Sequence, residues 1–91
     1  MSEEKHYYAS GALYQICREG ERIAYYENGL VKTQEFFLGG KHHGTCTLYW
    51  PNGQLKRQVQ FCQGVRHGKD QFWNEKGELF EEYVYEHGEE T

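Results

Sequence analysis

The residues with the richest chemistry in this chain are three thiols and a pair of imidazoles. Cys17, Cys46 and Cys62 are the thiols; His43 and His67 share one column beside Lys41, His42 and Arg66. A metal site would need a third ligand close to both imidazoles. Their column offers only Glu19, from a shortened turn, and Thr91. The expectation is repeated turn residues and no metal. A Cys–His nucleophile pair would join Cys46 or Cys62 to His42 or His43. No orienting acid or oxyanion turn accompanies them, and cysteine packs readily as a small hydrophobe. Ser10 is the only serine besides Ser2 and falls in a turn, which removes serine hydrolysis. Glu81, Glu82 and Glu86 read as a solvated strand edge rather than a carboxylate pair. No phosphate loop, HExxH or dinucleotide fingerprint occurs. The chain is therefore expected to be no enzyme and to hold no cofactor. One binding chemistry stays open, because glycine-rich turns expose backbone N–H groups beside basic side chains. That would suit an anion at the His43/His67 turns.

Those groups sit in a chain of 91 residues, room for one small domain. It holds 8 Tyr, 5 Phe and 2 Trp, too many rings for a disordered chain. The net charge of −4 argues against nucleic acid or an anionic membrane as the main partner. No apolar run resembles a signal peptide or spans a bilayer, so a membrane role is not expected. An odd number of cysteines without CxxC spacing reads as free thiols in a reducing, cytoplasmic setting.

Glycine punctuation gives the organisation. Gly29, Gly53 and Gly77 lie 24 residues apart, and so do Gly40, Gly64 and Gly88. Tyr25, Tyr49 and Trp73 form a column on the same interval, as do Phe37, Phe61 and Tyr85. A shorter unit, "YYASGAL", precedes them from Tyr7. Fixed periods of this size mark a repeat array. Within a unit the apolar period is 2, as in "QLKRQVQF", which is strand alternation. No window shows a helical period. The expected fold is all-β: a single-layer antiparallel meander of repeated hairpins, about eight strands, with essentially no helix.

The "PNG" tip can be typed. In a two-residue loop Pro51 would be a hydrogen-bonded strand residue, yet it has no N–H. In a three-residue loop closed by a glycine bulge it takes the first central position, which suits its fixed φ. That loop pairs Tyr49 with Leu55, and likewise Tyr25 with Val31, Trp73 with Leu79 and Tyr7 with Leu13. Extending the alternation places Tyr25, Tyr49, Trp73, Leu55, Phe37 and Phe61 on one face, with Ile23, Val59, Tyr83 and Tyr85. The opposite face then carries Lys56, Gln58 and Gln60 among Tyr26, Trp50 and Phe72. One hairpin cannot bury such a ladder alone, and stacked copies can.

The segments "GGKHHG", "QGVRHG", "YYENG" and "YWPNG" resemble MORN repeats (membrane occupation and recognition nexus), and more closely a bacterial, antitoxin-like variant subgroup. The resemblance runs from Tyr7 to about Gly88 and departs from the pattern at "NEKG" and "REGE". It implies an elongated, twisted single-layer sheet that serves as an interaction module. Residues 1–5 are then a tail, 6–88 the repeat domain and 89–91 an acidic tail. The expected function is a non-enzymatic protein–protein interaction surface. Its contacts would be Tyr25, Tyr49, Trp73, Leu55, Phe37 and Phe61. The alternative is an antitoxin-like neutraliser of a basic protein. Homodimerisation through a sheet face or edge is a further expectation.

Overall fold

The computed structural model describes residues 3–91. Among the described residues, ten antiparallel strands follow one another without a helix. They are β1 (Glu4–Tyr7), β2 (Leu13–Arg18), β3 (Glu21–Tyr25), β4 (Val31–Leu38) and β5 (Lys41–His42). Then come β6 (Gly44–Tyr49), β7 (Leu55–Cys62), β8 (Val65–Trp73), β9 (Leu79–Glu86) and β10 (Glu89–Glu90). Neighbours in sequence are neighbours in the sheet, except that the two-residue β5 pairs with β4 beside the β4–β6 ladder. Eight strands have four or more residues, and β5 and β10 are the short additions. The sheet measures 44 × 36 × 14 Å, thin enough for one twisted layer. Strand β1 begins at Glu4 and β10 covers Glu89–Glu90, so strand structure enters both segments read as tails. Met1 and Ser2 of the first tail lie outside the described residues.

The hairpin tips follow the proline argument. Trp50 N–H donates to Gln54 O (2.8 Å) and Gly53 N–H to Trp50 O (2.9 Å), which closes a three-residue loop at Pro51–Gly53. Gly53 has φ +90°, a conformation that only glycine adopts cheaply. The same bonds recur at Tyr26/Leu30, Asn74/Glu78 and Tyr8/Ala12. All four aromatic–aliphatic tip pairs form as expected: Tyr7–Leu13, Tyr25–Val31, Tyr49–Leu55 and Trp73–Leu79.

One pair further down, the register departs from the sequence reading. Leu48 faces Arg57 where simple alternation would give Lys56, so Lys56 is an extra residue. The same β-bulge recurs with Tyr14, Lys32 and Phe80 as the extra residues. A bulge shifts the alternation by one and sends every later side chain to the other face. The single ladder face is therefore two. Tyr25, Tyr49, Trp73 and Leu55 stay together with Ile23, Val31 and Leu79. Phe37, Phe61, Val59, Tyr83 and Tyr85 lie on the opposite face, with Tyr26, Trp50 and Phe72. These are the ladder face and the stack face below.

The buried residues all lie on strands paired on both sides. Ile16, Ala24, Cys46 and Val59 are buried, together with the polar Thr47 and Asp70. Among the described residues no helix is long and apolar enough to cross a membrane.

Candidate interaction faces

On the ladder face the tip pairs line up from hairpin to hairpin, and a repeated set of bonds holds them in line. The second ring of each tip reaches the backbone of the next hairpin. Tyr8 Oη–H donates to Tyr25 O (2.7 Å), Tyr26 Oη–H to Tyr49 O (2.6 Å), and Trp50 Nε1–H to Trp73 O (3.0 Å). The tip asparagines add a second tie. Asn28 Nδ2 donates to Pro51 O and Asn52 Nδ2 to Glu75 O, each at 2.9 Å. Each Oδ1 accepts from the backbone N–H two residues on, which braces its own loop. All these latches point forward along the chain. The last tip differs: Asn74 bonds within its own loop, and Lys76 replaces the asparagine.

The stack face alternates aromatic rings with arginine and histidine side chains. Arg22 lies over Phe37 (5.5 Å), and His42 sits between Phe37 (4.6 Å) and Phe61 (5.0 Å). Phe61 pairs with Arg66, whose guanidinium lies 4.1 Å above the Tyr85 ring. Phe37 and Phe61 are thus members of this row, not of the ladder. Lys32 over Tyr26 and Lys56 over Trp50 repeat the motif at the tips. The bulged residue supplies each cation.

Two carboxylates anchor the row. Glu35 Oε2 takes both Arg22 Nη2 (2.6 Å) and His42 Nε2 (3.0 Å). Asp70 is 1% exposed and binds Arg57 through both carboxylate oxygens, at 2.9 and 2.7 Å. A buried carboxylate needs such a partner. That hydrogen bond to Asp70 is also the main reason the Arg57 pKa is raised further. Sequence reasoning missed this pair. Two signals mark it: Asp70 is the sole aspartate of the chain, and Arg57 interrupts the apolar series Leu55, Val59, Phe61.

Of the thiols, Cys46 is buried, Cys17 half-buried and Cys62 exposed. Cys46 is 2% exposed, and burial pushes its thiol pKa up, away from a reactive thiolate. The three cysteines are free thiols. His43 Nδ1 accepts from Gln63 N–H (3.3 Å) and His67 Nδ1 from His87 N–H (3.4 Å), 20 residues on in both cases. These histidines tie one glycine turn to the next. Among the described residues, no cluster of three His, Cys, Asp or Glu side chains is placed to hold a metal.

The repeat seen in these bonds has a counterpart among known families. Residues 18–38 and 43–63 match the family model of the MORN repeat variant. The match supports a MORN-repeat protein. The first matched segment covers the Tyr26–Asn28 tip and strand β4, and the second the Trp50–Asn52 tip with β6 and β7. Both matched segments contain a ring donor and an asparagine donor of a latch, and the unlatched tip at Asn74–Glu78 lies outside them. No curated protein and no solved structure matches the chain.

Proposed function

We propose that this chain is a non-enzymatic repeat protein whose ladder face binds another protein. One observation carries the reading. The ladder lies on a sheet a single layer thick, so no second layer covers it. Tyr25, Tyr49, Trp73 and Leu55 are half-buried, while Tyr7 (59% exposed) and Leu79 (49%) leave the ladder open at both ends. Rigid aromatic rows of this kind are good contact surfaces because little side-chain entropy is lost on docking. Phe37 and Phe61 drop out of the contact set.

The test uses two adjacent residues on opposite faces. Leu79 is on the ladder, and Phe80 (56% exposed) packs against Phe72 on the stack face. A protein captured from the native cell should lose about tenfold or more in affinity for Leu79→Ser and little for Phe80→Ser. Equal effects, or none from Leu79→Ser, would refute the ladder as the binding face.

A second reading is favoured by charge. Glu75, Glu78, Glu81, Glu82, Glu86, Glu89 and Glu90 are half of the chain's 14 acids, and all are exposed. An antitoxin-like neutraliser of a basic protein would use this end, and its affinity would fall steeply with salt. Salt-insensitive binding excludes that version.

A further inference from the structure

We propose that Asn28 and Asn52 are deamidation sites gated by the latches, with Asn52 the first to convert. Each precedes a glycine, whose missing side chain leaves its backbone nitrogen open to approach the carboxamide. The reaction needs only water. The Gly53 nitrogen attacks Cγ of Asn52, the bond from Cγ to Nδ2 breaks, and ammonia leaves with the proton from the glycine amide. Water then opens the cyclic imide at either carbonyl, giving aspartate or isoaspartate.

The folded tip holds these atoms out of reaction. Gly53 N–H is committed to Trp50 O (2.9 Å). The Asn52 carboxamide is pinned at both ends, Oδ1 by Gln54 N–H and Nδ2 on Glu75 O. Asn28 is held in the same way, with Gly29 N–H on Tyr26 O, Oδ1 on Leu30 N–H and Nδ2 on Pro51 O. Reaction therefore waits for the tip to open, and its rate follows the open fraction.

The two gates are unequal. Asn28 is latched to a hairpin that is itself tied forward by Trp50 and Asn52. Asn52 is latched to the Asn74–Glu78 tip, whose own side chains bond only within the loop. That tip frays more easily, so Asn52 is released first. Conversion is one-way because the ammonia is lost, and the latch cannot re-form because the new carboxylate has no N–H to offer and meets the Glu75 carbonyl with lone pairs. Isoaspartate also lengthens the backbone of a three-residue loop. The lasting result is a last tip, bearing Trp73 and Leu79, that keeps the Trp50 bond and the β7–β8 pairing but has lost its second tie to the ladder.

The test compares folded protein with urea-unfolded protein at mildly alkaline pH, reading the amide-to-acid mass change at each site by peptide mass spectrometry. Unfolded, both sites should convert at rates within about twofold; folded, both should slow, Asn28 by about tenfold more than Asn52. Trp50→Phe removes the donor beside Asn52 and keeps a ring in place. It should speed Asn52 the more, and speed Asn28 less, because the bonds of Asn28 itself stay in place. Equal folded and unfolded rates, conversion of Asn28 first, or an Asn52 rate indifferent to Trp50→Phe would each overturn the proposal.

Discussion

The Trp50–Gln54 tip and the Asn74–Glu78 tip are built on the same backbone, with the same loop, the same glycine and the same bulge below. Their side chains do different work. The first gives an indole N–H and a carboxamide to its neighbour, whereas the second spends its one amide on itself and presents a lysine. The loop conformation therefore belongs to the closing glycine and the backbone bonds that both tips share, since the second tip has neither the proline nor the tip asparagine. The alignment of one hairpin with the next belongs to the second ring and the tip asparagine. Local shape and inter-repeat cohesion are separable properties of the same five residues, as expected where each repeat touches only its neighbours.

Substitutions can break that contrast. Trp50→Ala removes a half-buried ring, its contact with Lys56 and the bond to Trp73 O, and should cost about 2 kcal/mol in a urea unfolding titration. A loss near zero would mean that the latch adds nothing to cohesion. Asn52→Ala deletes the inter-hairpin tie and the loop brace together, for a loss of about 1 kcal/mol. Lys76→Ala, at the matching position of the unlatched tip, should stay within about 0.5 kcal/mol. Equal losses at the two positions would erase the distinction between the tips. The smallest effect is a pH dependence. Burial raises the Tyr26 phenol above its ordinary range, with a lesser contribution from Tyr8. A raised acid contributes stability that is complete below the unfolded value of about 10 and is lost as pH climbs through the folded value. Tyr26→Phe should therefore flatten part of the alkaline loss of stability, and an unchanged alkaline limb would show that the phenol is not buried in the latch.

Much of this was legible in the sequence. The 24-residue glycine columns gave the repeat, and the missing N–H of Pro51 decided the loop and, through it, the Tyr49–Leu55 pair. The bulge one pair below was not legible. Its extra residue is tyrosine in one unit, lysine in two and phenylalanine in the fourth, so side-chain type does not mark it. Period-2 counting carried across that point assigned Phe37 and Phe61 to the wrong face. Arg57 was the available warning, since a guanidinium between Leu55 and Val59 belongs in an apolar row only if a carboxylate waits beside it or the row has changed sides. Both are true here. The forward reach of Tyr26 and Trp50 was also hidden, because a ring in a strand says nothing about whether its polar tip is used at home or next door.

The one-directional latches also bear on how such a protein can lengthen. An interior unit offers side-chain donors on one flank and backbone carbonyls on the other, so a duplicate of residues 41–64 spliced in after itself would fit its neighbours on both flanks without any new contact being invented. A copy appended beyond the Asn74–Glu78 tip would find no such donor awaiting it. Growth by gene duplication is thus easy in the middle of the array and discouraged past its last hairpin.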